Sequence, residues 1–200
     1  MSKILLAIDT SGARLQLALS AGDQIDILVK DIELGRFSKG FAEIIFDKIA
    51  EILKRNDIIY QQLERICVAT GPGSFTGLRV GISAARGLAL GLDIETIGIP
   101  NLLALSLTNE AKNFAIVIDA RRNQSYAQNF YQAGEPNEEP KLLNFEDAFE
   151  IYKKHEFDDA IIDMKSFVDF GQSLDAAKFP ANPCYVREAD AKVQSKGLVI

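Results

Sequence analysis

Two short segments carry the residue types that could do chemistry on this chain. Asp9-Thr10-Ser11 ends the apolar run Ile4–Ile8, and Gly71-Pro72-Gly73-Ser74-Phe75-Thr76 follows the apolar run Ile66–Ala69. A carboxylate at a strand end, with hydroxyls beside it, suits a magnesium-bound phosphate. A glycine loop opening into a helix offers free backbone N–H groups to an anion. Asp9, Thr10, Ser11, Gly71, Gly73, Ser74 and Thr76 are therefore the candidate phosphate or nucleotide residues. A plainer reading stands beside this one. Asp9 can cap its own backbone in an Asx turn, and Gly-Pro-Gly marks any tight strand-to-helix turn. The loop lacks the Lys-Ser/Thr ending of a P-loop and the glycine spacing of a dinucleotide fingerprint.

Other chemistries fit less well. Ser74 does not sit in Gly-x-Ser-x-Gly, because Pro72 stands two residues before it. A serine triad also needs a histidine, and the sole His155 lies in the charged run Lys-Lys-His-Glu. Cys67 and Cys184 are too far apart in sequence for a disulfide framework. With one histidine they offer no nitrogen- or sulfur-rich ligand set, so no metal site is expected. Asp119 ends a second apolar run, Phe114–Ile118, and is followed by Ala120-Arg121-Arg122. It reads either as a second phosphate carboxylate or as a charged hairpin end.

These residues need elements to position them. Lys3–Thr10 reads as a strand, Arg14–Ser20 alternates as a half-buried strand does, and Ile25, Ile27 and Val29 continue the pattern after Ala21-Gly22-Asp23. A helix is predicted from Ser38 to about Arg55, a strand over 66–69, a helix from about Gly77, and a strand Glu95–Ile99 stopped by Pro100. The second half begins similarly, with a strand at Phe114–Ile118 and a hairpin partner at Gln124–Tyr131. After a turn-rich acidic stretch, Phe145–Lys153 reads as a helix, Ala160–Ile162 as a strand and Met164–Ala177 as a helix. Two strand-Asp-turn-strand starts point to a duplicated unit. The expected division is residues 1–100, carrying both long helices, and a smaller unit over 101–200.

The two helices also read as an interaction surface. Between Phe41 and Leu53 the apolar residues cover about half the circumference, more than the roughly 100° stripe that a helix needs to sit on its own sheet. In the second helix Gly77, Gly81, Ala84, Leu88 and Gly91 fall on one side, and Arg79 and Arg86 on the other. Each interior glycine costs roughly 1 kcal/mol against alanine, so close approach of another backbone is expected to offset it. The candidate partner residues are Phe41, Ile44, Ile45, Ile49, Ile52, Gly77, Gly81, Ala84, Ala85 and Leu88. The alternative neighbour is this same chain. Arg79, Arg86, Arg121 and Arg122 could meet phosphate or form ordinary surface salt bridges.

Composition excludes several classes. The 200 residues are 48% hydrophobic and 25% charged, with a net charge of −6, so no basic field attracts nucleic acid. Asp9 interrupts the N-terminal apolar run too early for a signal peptide. No run of 18 apolar residues marks a membrane span. A cytoplasmic location is expected.

Duplicated βββαβα units facing each other belong to the actin-like ATPase superfamily of actin, sugar kinases and heat-shock chaperones, an α/β fold with two RNase-H-like halves, here with the second reduced. Within it, Ile4-Leu5-Leu6-Ala7-Ile8-Asp9-Thr10-Ser11, the segment Gly71–Gly81, Asp119-Ala120-Arg121-Arg122 and Pro183-Cys184-Tyr185-Val186-Arg187 occur in that order. Together they resemble the TsaB (YeaZ) family over nearly the whole chain, most tightly at 71–91. That resemblance implies a non-catalytic subunit in bacterial tRNA modification. Its implied partners are a TsaD-like subunit, which transfers threonylcarbamoyl to the adenosine beside the anticodon, a TsaE-like ATPase, and tRNA through the complex. It also implies docking through the two helices, self-association when alone, no membrane partner and no cofactor beyond a vestigial nucleotide at the partner interface. The catalytic relative holds a metal with an H-x-x-x-H pair, and TsaB-like members usually keep one of these histidines. Here Phe37 and Phe41 stand at those positions, which favours the non-catalytic branch. The rival readings are an autonomous ATPase or small-molecule kinase of the same superfamily, and then a peptidase.

Overall fold

The computed structural model describes residues 2–31, 40–152 and 160–186. The first half is a sheet of five strands: β1 (Leu5–Asp9), β2 (Arg14–Ala21), β3 (Gln24–Asp31), β4 (Arg65–Ala69) and β5 (Glu95–Ile99). Their spatial order is β3-β2-β1-β4-β5. The first three form an antiparallel meander, and β1, β4 and β5 run parallel. Gly22, at φ 62°, turns β2 into β3 where an L side chain would be strained.

Both faces of this sheet are covered. Leu6, Ile8, Ile66 and Val68 meet Ile45, Ile49 and Ile52 of α1 (Phe41–Arg55) and Leu78, Ile82 and Ala85 of α2 (Phe75–Leu92). The alternate residues Leu5, Ala7, Cys67 and Ala69 meet Leu102 of α3 (Asn101–Ser106) and Phe167 and Val168 of α5 (Met164–Ser173). Strands buried on both sides read as continuous apolar runs, which is why β1 and β4 are plain in the sequence.

The second sheet is antiparallel and smaller. It consists of β6 (Phe114–Arg121), β7 (Gln124–Gln132), β8 (Glu135–Pro136) and β9 (Lys141–Asn144), with β7 pairing all three others. Ala148 and Tyr152, in and just after α4 (Phe145–Ile151), close one of its faces against Ala115, Val117 and Ala127. Phe114, Ile118 and Phe130 on the other face share a core with Leu5, Ile97 and Phe167. The division drawn at residue 100 therefore runs through a common hydrophobic layer. The second half keeps the strand-hairpin start of the first and none of its parallel pairing among the described residues, so the fold is the actin-like α/β class with a reduced second half.

Several elements differ from the sequence expectation. Residues 160–162 form no strand. Instead the Ile162 carbonyl accepts a hydrogen bond from Gln16 Nε2 at 3.3 Å, and Asp163 caps α5 by accepting from Ser166 N at 2.8 Å. Helix α5 stops at Ser173, four residues short of the predicted end. Its last turn is held by Arg65, whose Nη1 donates to the carbonyls of Gly171, Gln172 and Leu174. Helix α3 and strand β9 were not foreseen, being too short to show a period. Ser38, the predicted start of the first helix, lies outside the described residues, and α1 begins at Phe41 after Gly40.

Candidate functional site

The fold brings the seven candidate phosphate residues together and engages Asp9, Thr10, Ser11, Gly71 and Ser74 in internal hydrogen bonds. The β1–β2 turn lies on the loop that opens α2. Ser74 N donates to the Ser11 carbonyl at 2.7 Å, and Thr10 Oγ1 donates to the Gly77 carbonyl at 2.7 Å. Ser74 Oγ accepts from Gly77 N, which makes it the N-cap of α2. Gly71 is pinned on both sides by Asn101, accepting from its amide and donating to its carbonyl. Gly71, with φ at 102°, is buried, whereas Gly73, Ser74 and Thr76 are exposed.

Asp9, Thr10 and Ser11 are buried. The Asp9 carboxylate accepts from Ser11 N at 2.8 Å, Ser11 Oγ at 2.6 Å and Gln16 Nε2 at 3.2 Å. This is the Asx turn, the plainer of the two sequence readings. Burial pushes the Asp9 pKa up from its ordinary value, against the lowering effect of the Ser11 and Gln16 bonds. Asp119 forms the corresponding turn in the open, accepting from Arg121 N at 2.7 Å. Arg121, Arg122 and Asn123 all adopt positive φ there.

Two of the four glycines of α2, Gly77 and Gly81, are explained by the same closure. A Cβ on Gly77 would overlap the Thr10 carbonyl oxygen, and one on Gly81 would overlap Thr10 Oγ1. The close neighbour that the helix composition called for is thus this chain's own β1–β2 turn. Gly87 and Gly91, farther along, have open space around them.

The expected partner residues lie largely beneath the helix surface. Ile45, Ile49, Ile52, Gly77, Gly81, Ala84 and Ala85 are buried within the chain, and Phe41, Ile44 and Leu88 are half-buried against the same core. The buried seven are used chiefly by the core below α1 and α2, while Phe41, Ile44 and Leu88 keep part of their surface. The surface left above is carried by their neighbours. Ala42 and Phe46 on α1, and Phe75, Arg79, Ser83, Arg86, Gly87 and Leu90 on α2, are exposed. Phe46 is 51% exposed and Leu90 86%, and a face of such side chains is where a partner is sought. Between the helices runs a shallow groove of about 400 Å³, lined by Ala42, Phe46, Arg79, Val80 and Ser83 over the tops of Ile45 and Ala84. Helix α2 carries two arginines and no acidic residue.

At the start of α2 this face ends in a cluster that the sequence analysis did not assemble. Phe75 and Tyr185 have ring centroids 5.5 Å apart, and the Arg79 guanidinium lies 4.1 Å from the Phe75 centroid. Tyr185 is far away in the chain, so no spacing rule could have paired it with Phe75. The remaining candidates lie apart from this face. Cys67 is buried under α5, where burial pushes its thiol up to about 12, and Cys184 lies half-buried beside Gly71. Phe37 and His155 lie outside the described residues. Among the described residues no three His, Cys, Asp or Glu side chains converge as a metal-ligand set. No described helix is long and apolar enough to cross a membrane.

Comparison with known proteins agrees with this architecture. The family model for TsaD, tRNA N6-adenosine threonylcarbamoyltransferase, matches residues 36–158. The tRNA threonylcarbamoyladenosine biosynthesis protein TsaB of Haemophilus influenzae is 37% identical over 127 residues, covering 61% of this chain and 51% of that protein. The TsaB of Bacillus subtilis is 34% identical over 124 residues, covering 61% and 52%. The matched region spans about half the length of these curated relatives. In structure, YeaZ from Pseudomonas aeruginosa superimposes with a TM-score of 0.71 at 22% identity, covering 92% of this chain and 99% of that one, which establishes the shared fold. By sequence motif, family model and architecture together, this chain belongs to the TsaB (YeaZ) family, within the wider group described by the TsaD transferase model.

Proposed function

We propose that this chain is the scaffolding and activating subunit, itself non-catalytic, of the assembly that adds threonylcarbamoyl to the adenosine next to the anticodon in tRNAs reading codons that start with A. Family membership supports the part in tRNA modification. The observation that carries the non-catalytic part is the closure of the β1–β2 turn. At the strand-end turn where a member of this superfamily would hold magnesium and phosphate, Thr10 packs on Gly77 and Gly81, and the Asp9 carboxylate is engaged by Ser11 and Gln16. On this reading the chain holds no cofactor of its own and turns over no nucleotide.

Its work is structural. The exposed face of α1 and α2 docks a TsaD-like catalytic subunit and holds it in a competent arrangement. A TsaE-like ATPase and tRNA meet the pair, and the same face supports self-association when the partner is absent. The setting is cytoplasmic. The test is threonylcarbamoyladenosine formation on tRNA, reconstituted with the TsaD-like and TsaE-like subunits, the adenylate-forming enzyme, ATP, threonine and bicarbonate. Product is expected only when this chain is present, and none from this chain without the TsaD-like subunit. Equal product in its absence would return the chain to the ATPase or kinase reading.

A further inference from the structure

The segment after α5 crosses the end of the first sheet and is fixed there by its backbone. Gly98 N donates to the Phe179 carbonyl at 2.8 Å, and Cys184 N donates to the Thr70 carbonyl at 2.8 Å. A Cβ on Gly98 would overlap the Pro180 carbonyl oxygen, so this strap lies directly on the strand. It delivers Tyr185 to the mouth of the α1–α2 groove without help from any partner. There Tyr185 and Phe75, each about half exposed, sit with ring centroids 5.5 Å apart. Arg79 stacks on Phe75 and also lines the groove. One guanidinium therefore belongs to both features, and the groove and the ring cluster form one continuous surface.

We propose that Phe75, Arg79 and Tyr185 form a preorganised anchor at one end of the docking face, with the strap of the second half contributing Tyr185. The occupant is a helix of the TsaD-like subunit that sets an apolar side chain against the two rings and a carboxylate against Arg79. This rests on the docking role proposed above. Shape and charge set what that helix must offer: a groove between two helices takes a third, and an arginine at its rim takes a carboxylate. The chain carries a net −6, yet α2 presents two arginines and no acid, and among the described residues neither Arg79 nor Arg86 is ion-paired. Binding hot spots concentrate in aromatic rings and arginines. Rings already packed together surrender little conformational freedom on contact.

The experiment is calorimetric titration of this chain with the TsaD-like subunit from the same cell. Tyr185→Ala and Phe75→Ala are each expected to weaken binding about tenfold or more, and Arg79→Glu further still, in keeping with anchor positions. Tyr185→Phe should bind within about threefold of the unmodified chain, because its hydroxyl makes only a 3.5 Å contact with Arg79 Nε and such long bonds are weak. Tyr131→Ala, which truncates an equally exposed ring on β7, should change nothing. Melting temperatures identify any variant that is misfolded, and Arg79→Glu, at an exposed position, tests the anchor if Tyr185→Ala fails to fold. Alanine variants that bind as the unmodified chain does overturn the anchor while leaving docking intact. So does an unchanged subunit affinity with a loss of tRNA binding by the assembled complex, which would assign the rings to RNA. A loss confined to self-association overturns it too. No heat from the unmodified chain overturns the docking role and the anchor together.

Discussion

Asp9, a residue that looks chemical, has a structural task in its own turn. Its carboxylate lies in a buried turn, with Ser11 and Gln16 as hydrogen-bond donors, and burial raises its pKa. A carboxyl raised in the folded state binds its proton more tightly there than in the unfolded chain. Its stabilising contribution is therefore complete below the ordinary carboxylate range and is lost as pH rises through the raised value. Asp9→Asn keeps an oxygen acceptor for Ser11, turns an amide towards Gln16 Nε2 as the protonated carboxyl turns its hydroxyl, and removes the buried charge. It is expected to raise stability at pH 7 by on the order of 1 kcal/mol, with the gain shrinking as pH falls towards about 4. Thermal melts across that range check this, and an Asn variant less stable at every pH would show that the turn needs the charge. The sequence made the Asx turn legible as one of two readings. It could not reveal that Thr10, one residue on, is what Gly77 and Gly81 accommodate, because that contact joins segments far apart in the chain.

At the scale of elements, periodicity was a good guide wherever an element was long. Strands β1, β2, β4 and β5 and helices α1 and α2 stand where the patterns of Leu15, Leu17 and Leu19 or of Ile45, Ile49 and Ile52 put them. Helix α3 and strand β9 escaped because six and four residues cannot complete a diagnostic pattern. The run at 160–162 misled for the opposite reason. Its apolar residues are consumed in leading into the Asp163 cap, with the Ile162 carbonyl turned to Gln16. Nor could composition foresee Arg65, a buried cation that binds Glu95 at 2.7 Å and closes the end of α5. Arg65→Ala would leave three carbonyls without that donor, while half-exposed Glu95 keeps Lys3, and is expected to cost about 2–3 kcal/mol, the scale for losing buried hydrogen bonds from a charged group. Urea unfolding measures it, and a loss under about 1 kcal/mol would mean that water replaces the guanidinium. Gly81→Leu belongs to this scale as well. It would drive a side chain into Thr10 and disturb folding before it could report on any partner.

For the whole molecule, the amount of apolar helix surface was legible, but its division between core and partner was not. The sheet takes Ile45, Ile49, Ile52, Ala84 and Ala85, and Phe46 and Leu90 are left outside. Those two positions separate docking from folding. Phe46→Asp and Leu90→Asp are expected to change stability by less than about 0.5 kcal/mol, as exposed substitutions usually do. Each should weaken association with the TsaD-like subunit about tenfold or more, read by titration alongside a melt. Association unaffected by both would move the partner to another face. The seal between Thr10 and α2 has a further consequence. Thr10 behaves as a ligand tied to its own receptor, and a tethered group acts at an effective concentration of millimolar or above. On the non-catalytic reading proposed above, a diffusing phosphate would have to displace that tethered contact before it could act on this turn. The same reading makes the geometry beneath the proposed docking face independent of nucleotide supply, so that a starved cell and a growing one would share a fixed platform rather than a sensor.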